Sequence, residues 1–301
     1  MSGPMFTLRQ LELFCAATST GSFSSAGETM FVTPTTVAAA VGELERVLDT
    51  QLLSRRRAQG VVPTAAGVHL FERAKALLLE ADEVRHSISS NSGELTGPLS
   101  IGCYSTLAAT VLPALVQGFT TLHPRIEVSF VDGPLDHLVD LLQRGELDLA
   151  IGYRVNLPPD VNDATLYEST QYVFLSADHR FADAESVSLA SLVDEPLIML
   201  DLPPSATHTM DLFHQQGLQP TVGHRTASFE LVRSLVARGL GYSILLQRPR
   251  FDHSYEGLPI VAKTISPGFP PSAVVMFWRS DVRLTDRADA LVSYAQKTIK
   301  G

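Results

Sequence analysis

Residues able to bind phosphate are concentrated near the N-terminus of the chain. Arg55, Arg56 and Arg57 are consecutive, and two short stretches surround them, Leu52-Leu53-Ser54-Arg55 and Gly60-Val61-Val62. These stretches can pair as a hairpin with the arginines at its tip, where guanidinium groups would neutralise phosphates or enter a minor groove. A solvated turn is the alternative interpretation of this run of charge.

Hydroxyl-bearing and small residues at the starts of two predicted helices could contact the same DNA whose phosphates the arginines would neutralise. Thr33 is a suitable N-cap, and Pro34 suits the first helical position, where its missing N–H does no harm. Threonine hydroxyls can hydrogen-bond to bases or phosphates. The candidate DNA-binding residues are Ser24, Thr33, Pro34, Thr35, Thr36, Ala39, Arg55, Arg56 and Arg57.

The sequence lacks the usual patterns of catalytic and metal-binding residues. Its histidines show no metal-ligand spacing with another His, Cys or acidic residue. It contains no GxSxG elbow, no GxxxxGK[ST] loop and no GxGxxG after a strand. Cys15 and Cys103 are far apart, which argues against a disulfide or a CxxC site. We therefore expect no enzyme, no catalytic residue, no metal and no cofactor.

The net charge of −9 is unevenly distributed along the chain. From Met1 to Ala66, five basic residues balance five acidic ones, so this module is neutral and the acidity lies downstream. A neutral module with clustered arginines can still bind phosphate. We find no secretory signal and no apolar run of the roughly 18 residues that a membrane span needs, so we expect a cytoplasmic protein with no membrane partner.

The elements that would position the arginines and threonines form a helical module. Leu8, Leu11, Phe14 and Cys15 have the spacing of an amphipathic helix, and a second helix follows Gly21 with Phe23, Ala26 and Met30 inward. A third helix buries Val37, Val41, Leu44 and Leu48. Two short helices joined by a tight turn, followed by a hairpin, predict a winged helix-turn-helix. An ordinary three-helix bundle is the alternative.

Residues 64–91 are predicted to form one long helix, about 42 Å in length. An apolar seam of coiled-coil spacing runs along it, made of Leu70, Ala74, Leu77, Ala81, Val84 and Ile88. We expect this seam to pair with a second copy of the chain, which would also give the helix-turn-helix two half-sites to bind. Packing on the C-terminal domain is the alternative.

The remainder of the chain alternates strands and helices. The order strand, helix, strand, helix, strand from Leu99 to DLAIG predicts a βαβαβ unit with a parallel sheet. A second such set runs from YVFLS to YSILL, and the chain ends with the strand AVVMFW and a helix over 282–299. Two α/β lobes predict a ligand cleft at the carboxyl ends of their strands.

Four stretches together carry a resemblance to a known family. The longest are LRQLELFCAATSTGSFSSAGETMFVTPTTVAAAVGELERVLDTQLLSRRR with GVVPTAAG, and GPLSIGCYSTLAATVLPALVQGFTTLHPRIEVSFVDG. They resemble the DNA-binding signature and the start of the effector domain of the LysR-type transcriptional regulators. GELDLAIG resembles a later part of that domain, and GLGYSILLQRP its return crossing between lobes.

This resemblance implies an α/β protein with an N-terminal all-α winged helix-turn-helix and a C-terminal two-lobed effector domain similar to periplasmic binding proteins. The expected bounds are 1–63 for the winged helix-turn-helix, 64–91 for the dimerisation helix and 97–301 for the effector domain. Lobe I would comprise 97–163 and 266–301, and lobe II 164–265. The implied partners are double-stranded DNA, a small organic effector and further copies in a dimer or tetramer, with RNA polymerase as an open candidate.

The resemblance also places an effector site between the lobes. The matching positions are Tyr104, Ser105, Thr106, Pro134, Leu135, Asp201, Leu202, Pro203, Ser228 and Phe229. Ser105 and Thr106 precede a helix whose free N–H groups favour an anion, although both could be mere helix caps. Asp201 would repel an acidic effector unless that ligand also carries a donor.

One departure from the family concerns the exposed face of the third helix. The family usually carries polar, often basic residues there, whereas this face offers Thr35, Ala39, Gly42 and Arg46. Such residues favour thymine methyl contacts and A·T-rich sites over guanine contacts. The alternative function is a ligand sensor, or a protein like the solute-binding proteins, with weak or lost sequence-specific DNA binding.

Overall fold

A computed structural model of the chain describes residues 6–56, 60–89 and 94–300. The chain divides into two compact units, Met1–Leu95 and Thr96–Gly301, which we describe separately. The N-terminal unit begins with helices α1 (Leu8–Thr20), α2 (Phe23–Met30) and α3 (Pro34–Leu48). The side chains of Thr7, Ser22 and Thr33 accept N–H groups of the first turns of these helices, which satisfies donors that have no intrahelical partner.

The turn between α2 and α3 is tight, as expected for a helix-turn-helix. A Cβ on Gly27 would lie 2.7 Å from the carbonyl oxygen of Val32, so only glycine allows this approach of the two segments. The core beneath it contains Leu11, Phe14, Ala26, Val37, Val41 and Leu44. Leu8 departs from the prediction because it lies exposed in the first turn of α1, and Leu13 is buried instead.

Strands β1 (Leu53–Arg56) and β2 (Gly60–Pro63) form the predicted antiparallel hairpin. Arg55 pairs with Val61 and Arg56 with Gly60, so both arginines belong to the strand and not to the hairpin tip. Pairing was predicted up to Arg55, and it extends one residue further, so Arg56 lies in the strand and not at the predicted tip. Arg57 lies outside the described residues.

Helix α4 (Ala65–Ser89) follows the hairpin directly, and its first half packs on its own unit. Ala74 is 2% exposed, and Ala74 and Leu70 lie against the core that contains Leu11 and Phe14. The prediction that Ala74 forms part of a seam between two copies is wrong, since its own unit already covers it, whereas half-buried Leu70 stays a prediction.

In the C-terminal unit, the first lobe is built around the sheet order β4-β3-β5-β13-β6. Its elements are β3 (Gly97–Tyr104), α5 (Ser105–Leu122), β4 (Ile126–Gly133), α6 (Leu135–Gln143), β5 (Leu149–Tyr153), β6 (Val161–Ser169), β13 (Ser272–Arg279) and α9 (Asp286–Thr298). Strands β3, β4 and β5 are parallel as predicted, whereas β13 and β6 are antiparallel neighbours. Because β6 pairs with β13 along its whole length, the expected lobe boundary after residue 163 is corrected to follow Ser169.

The second lobe contains the sheet order β11-β7-β12-β8 and a parallel pair, β10-β9. Its elements are β7 (Tyr172–Ser176), β8 (Ser186–Val187), a 3-10 turn (Leu189–Ser191), β9 (Leu197–Leu200), α7 (Ser205–Gln215), β10 (Val222–Thr226), α8 (Phe229–Ala237), β11 (Ser243–Leu245) and β12 (Ile260–Ile265). Sequence patterns missed β6, β8 and β12. All three carry interspersed polar residues and exposed or half-buried faces, so no apolar run marks them.

Helix α5 is long and apolar enough, by length and composition alone, to cross a membrane, with a mean hydropathy of 1.3. This corrects the expectation that no such run exists. Leu107, Val111, Leu115 and Phe119 of this helix are buried in the lobe, where α5 packs on β3 and β4. Its apolar composition is that of a core helix in an α/β domain.

Candidate functional site

The exposed face of α3 presents small and hydroxyl-bearing residues. Thr35, Thr36 and Ala39 are exposed, while Val37 and Val41 on the opposite face are buried. The hydroxyl of Thr33 accepts the Thr36 N–H at 3.2 Å and lies 2.8 Å from the Thr36 hydroxyl. The N-terminus of α3 is therefore fixed by its own side chains, and Thr35 is left pointing outward.

Arg46 is the one basic residue of α3, and it is engaged by its neighbour. Its guanidinium donates to both carboxylate oxygens of Glu43, with Nε–Oε2 at 2.9 Å and Nη2–Oε1 at 2.5 Å. Hydrogen bonding to Arg46 lowers the pKa of Glu43, so the carboxylate stays charged. The pair is exposed, and Arg46 would have to leave Glu43 before it could reach a base.

Hydrogen bonds from the backbone of the hairpin and its preceding residue to the helical module fix the position of the hairpin. Oε1 of Glu45 in α3 accepts the N–H groups of Leu52 and Leu53, at 2.7 and 3.0 Å. The Val61 N–H donates to the carbonyl of Gly21 at 2.8 Å. The hairpin thus has a fixed relation to the exposed face of α3, which is what a wing requires. Ser24, the remaining predicted contact in this unit, is exposed on α2.

The second half of α4 carries exposed apolar side chains. Leu77 is 43% exposed and Val84 is 55% exposed, whereas Ala81 is half-buried. The side chain of Ile88 lies outside the described part of the chain. Exposed apolar side chains at this spacing suit contact with a partner helix.

A cleft opens between the two lobes of the C-terminal unit. It encloses a volume of about 20 Å³, which is room for about one water molecule. Its lining residues are Thr106, Tyr153, Gln171, Leu200, Ser205, His208, Thr209, Phe229, Ile244, Leu245, Leu246 and Gln247. Thr106, Tyr153 and Leu200 lie at the carboxyl ends of β3, β5 and β9, which is the expected location in parallel sheets.

The structure brings some of the predicted effector residues to this cleft. Thr106 and Phe229 line it directly. The Tyr104 hydroxyl donates to the carbonyl of Leu202 at 3.3 Å and lies 2.8 Å from the hydroxyl of Ser205, so it joins the lobes at one end of the cleft. Across the cleft, Nε2 of Gln247 donates to the hydroxyl of Thr110 at 2.9 Å.

Other predicted effector residues are not among those that line the cleft. Asp201 is exposed, 3.6 Å from Arg225, and the Ser228 hydroxyl accepts the Leu231 N–H as the cap of α8. The remaining residues outside the lining are Tyr104, Ser105, Pro134, Leu135, Leu202 and Pro203. Leu135 is buried in lobe I, where a Cβ on Gly152 would touch it. The sequence places these residues near strand ends, but Ser228 caps a helix, Asp201 lies near an arginine and Leu135 belongs to the core.

Two hydroxyls in the cleft are buried and lie close enough to interact with each other. They belong to Thr106, which is 6% exposed, and Tyr153, which is 3% exposed. Burial raises the pKa of Tyr153 well above its ordinary value, although a hydrogen bond with the Thr106 hydroxyl partly opposes this, so the phenol keeps its proton.

Among the described lining residues, His208 is the one whose side chain type ordinarily titrates near neutral pH. Burial lowers its pKa below 6.5, an effect that the charge of Asp211 partly opposes. Its Nε2 lies 3.2 Å from Nε2 of Gln171, whose amide also donates to the carbonyl of Pro270. His208 is therefore neutral at neutral pH. None of the described residues that line the cleft is Asp, Glu, Lys or Arg.

Sequence reasoning missed the polar residues Tyr153, Gln171, His208, Thr209 and Gln247. Tyr153 ends the strand of the DLAIG motif, and that position at the carboxyl end of a parallel strand is a signal that could have identified it. Gln171 lies where the chain crosses between β6 and β7. His208, Thr209 and Gln247 carry no pattern in the sequence, because only the closure of the two lobes brings them together.

Comparisons with known proteins agree with these two units. The family model of the bacterial regulatory helix-turn-helix proteins of the lysR family matches residues 8–68, and that of the LysR substrate binding domain matches residues 92–300. The HTH-type transcriptional regulator TtuA of Agrobacterium vitis is 30% identical over 242 residues, 79% of each chain. The hydrogen peroxide-inducible genes activator of Pectobacterium carotovorum subsp. carotovorum is 28% identical over 239 residues, also 79% of each.

A solved structure of similar size also matches. The crystal structure of HinK, a LysR family transcriptional regulator from Pseudomonas aeruginosa, has a TM-score of 0.65 and 31% sequence identity. The match covers 98% of this chain and 99% of that one.

Proposed function

This chain belongs to the LysR family of bacterial transcription regulators, and we propose which of its residues bind DNA and which bind the effector. It is a DNA-binding regulator, not an enzyme, and a small-molecule effector modulates its activity. We assign DNA contact to the exposed face of α3 and to the hairpin arginines, and effector contact to the cleft between the lobes.

The observation that carries the DNA-binding assignment is the fixed relation between α3 and the hairpin. The carboxylate of Glu45 and the carbonyl of Gly21 hold the hairpin backbone on the helical module. A helix in the major groove with a basic wing beside it needs this rigidity to keep its register on the duplex. Thr35 and Ala39 would then lie closest to the base edges.

A gel shift with the DNA upstream of the protein's own gene tests the assignment. Ala39→Glu adds a negative charge to the exposed face of α3 without burying it, so we expect binding to fall by at least about tenfold. Leu8→Glu, at another exposed position, is the matched control and should bind like the wild type. Equal weakening in both variants, or in neither, would remove α3 from the interface.

For assembly, we propose a dimer through the second half of α4, which pairs further into a tetramer. The exposed side chains of Leu77 and Val84 support the dimer. We place the protein in the cytoplasm with its DNA, where RNA polymerase is the remaining partner in transcription.

A ligand sensor with weak sequence-specific DNA binding is the second candidate function. Two observations favour it: the exposed face of α3 offers Ala39 and Gly42, and Arg46 is occupied by Glu43. In that case the gel shift would show equal affinity for the upstream DNA and for unrelated DNA.

A thiol-based response to peroxide, which the name of the Pectobacterium relative suggests, is not supported in this chain. Such chemistry needs an accessible thiolate. Cys15 and Cys103 are both buried, and burial raises the pKa of both thiols. We propose instead that the effector binds non-covalently in the cleft.

A further inference from the structure

Lobe II contains a second cavity, which we call the lobe II pocket. It lies between the turn 178–180, which follows β7, and the segment 237–241, which ends α8 and follows it. It encloses about 580 Å³, a volume typical of small-molecule sites. Strands β9 and β11 run from this pocket to the cleft, and no described residue lines both. The pocket is therefore a separate place at which a ligand can bind.

The lobe II pocket is lined by charges of both signs. Arg180 and Arg238 supply positive charges, and Asp178 and Glu195 supply negative ones. The described lining of the cleft, by contrast, contains no Asp, Glu, Lys or Arg. The two sites thus suit ligands of different charge.

Arg180 is held in a fixed orientation at this pocket. Its Nε and Nη2 donate to Oε1 of Glu195 at 3.0 and 2.6 Å, and Nη2 also donates to the carbonyl of Ser191 at 2.7 Å. Its guanidinium lies 4.5 Å from the centre of the Phe181 ring. Nε2 of His179 lies 2.7 Å from the other oxygen of Glu195. Burial raises the pKa of Glu195, but the hydrogen bonds from His179 and Arg180 outweigh it and hold the pKa below its usual range. Glu195 is therefore charged and already paired.

Three charged groups of the pocket remain able to bind a ligand. Arg238 donates to Glu256 through Nε and Nη2, at 2.9 and 2.6 Å. Neither its Nη1 nor that of Arg180 makes a hydrogen bond within the described part of the chain, so both can donate to a carboxylate. Asp178 is exposed and forms no ion pair with any described residue. The C-terminal end of α8 adds a partial negative charge beside the pocket, so a cationic group is favoured there as well.

A buried hydroxyl in the same lining also points to a ligand. Ser176 is 8% exposed, and its hydroxyl has no hydrogen-bond partner among the residues that the structure describes. Its Oγ lies 3.9 Å from the point that a Cβ on Gly239 would occupy, so the wall that it faces is bare backbone. A Cβ on Gly241 would lie 2.1 Å from the carbonyl oxygen of Pro196, which keeps this part of the wall without a side chain. A buried polar group in this position calls for a ligand or water as its partner.

We propose that the lobe II pocket is a second ligand site, which binds a small zwitterion of the size of an amino acid or a dipeptide. The carboxylate of the ligand accepts hydrogen bonds from the Nη1 groups of Arg180 and Arg238, and its ammonium group donates to Asp178. A ligand with a single charge would leave either Asp178 or the two arginines without a partner, at a cost in free energy. This site goes beyond the effector cleft and does not depend on it.

Calorimetry on the full chain tests the charge of the ligand. The probes are alanylalanine, its N-acetyl derivative, which keeps only the carboxylate, and its amide, which keeps only the ammonium group. 6-Aminohexanoate, compared with hexanoate and hexylamine, repeats the test with the two charges further apart. We expect at least one of the two zwitterions to bind about tenfold more tightly than either of its singly charged partners.

Variants test which residue holds which end of the zwitterion. Asp178→Asn should weaken the zwitterion about five- to tenfold and remove its advantage over the probe that has only a carboxylate. Arg238→Gln should remove its advantage over the probe that has only an ammonium group. A merely structural role would weaken all probes alike. Asp183→Asn and Arg250→Gln are the matched controls, because both residues are exposed in the same lobe and do not line the pocket.

The remaining outcomes overturn the proposal. It is wrong if neither zwitterion binds at up to about 10 mM, far above the Kd of even a weak site, or if a singly charged partner binds as tightly as each zwitterion. It is also wrong if Asp178→Asn and Arg238→Gln both bind like the wild type. Thr106→Val changes the cleft alone, so the zwitterion should bind this variant with unchanged affinity. Weaker binding to Thr106→Val would place the zwitterion in the cleft and exclude the second site.

Discussion

At the scale of single residues, the two cysteines are protected from the reactions that thiols usually undergo. Burial raises the pKa of Cys15 to about 11, although the charge of Lys75 lowers it in part. Cys103 is completely buried in β3, and burial raises its pKa further still, with a contribution from Asp132. Because thiolates and not thiols are the reactive species, both residues should be inert in the folded protein.

This inertness can be measured by the mass of the intact chain after exposure to iodoacetamide near neutral pH. We expect no adduct in the native protein, because almost no thiolate is present and neither sulfur is accessible. The same sample unfolded in urea is the control and should carry an adduct on each cysteine. An adduct on the native chain, or a sulfenic acid after treatment with hydrogen peroxide, would contradict the assignment.

At the scale of elements, we predict that the hairpin arginines act through charge and not through base contacts. Replacing Arg55, Arg56 and Arg57 together with Ala should weaken binding to every DNA sequence, since phosphate contacts carry no sequence information. The slope of log affinity against log salt should fall by roughly 0.9 for each phosphate that the variant no longer neutralises. If the affinity for DNA and the salt slope are both unchanged, these arginines are solvated and do not contact phosphates.

A control with the same change of net charge is needed for the triple variant. Exposed arginines of the C-terminal unit provide it, and the matched substitution to Ala would be made at Arg180, Arg238 and Arg248. These residues lie outside the helix-turn-helix, so the salt slope should stay at the wild-type value. A similar fall in slope would mean that only total charge matters.

Helix α4 provides a second prediction at this scale. Leu77→Asp with Val84→Asp places two carboxylates in the proposed interface between copies, where an unpaired buried charge is costly. We expect sedimentation to show a lower mass and a gel shift to show loss of high-affinity binding. Val68→Asp is the control, because Val68 is exposed on the same helix but lies outside the seam. A double variant that keeps its mass would exclude this interface.

The sequence predicted helices α1 to α4 because their apolar spacing is regular, but it could not tell which neighbour each apolar face would meet. Leu70 and Ala74 have the same spacing as Leu77 and Val84, yet they lie against the core of their own unit. Apolar periodicity identifies which face of a helix will be buried, but it does not indicate which other element covers that face. The hairpin pairing of Arg56 was missed for a related reason, since a run of charge gives no signal of where strand pairing ends.

At the scale of the whole C-terminal domain, hydrogen bonds between the lobes hold the cleft in one arrangement. In the described residues these include the hydrogen bond between the Tyr104 and Ser205 hydroxyls and the bond from Gln247 to Thr110. The sequence suggested Tyr104 and Thr106 through their place after β3. It could not indicate Gln247 or His208, whose positions depend on how the distant lobe folds back.

Removal of these bonds should loosen the domain without unfolding either lobe. For Tyr104→Phe with Gln247→Leu, we expect faster amide hydrogen exchange in the segments that cross between the lobes, residues 170–171 and 266–271. Exchange in the centre of β3 should stay as slow as in the wild type. Tyr255→Phe, which removes an exposed hydroxyl, is the control. If the wild type, the double variant and the control all exchange at equal rates, the crossing segments alone would hold the two lobes together.

The packing of Ala74 and Leu70 on α1 determines where this regulator could be cut and rejoined. A DNA-binding fragment that ends at Pro63 would lack these side chains and expose Leu11 and Phe14 to water. Leu78 also lies against that core, so a graft of the DNA-binding head onto a foreign sensor should carry α4 at least through Leu78. Biosensor chimaeras joined earlier would fail through an unfolded head, whatever the quality of the transplanted sensor.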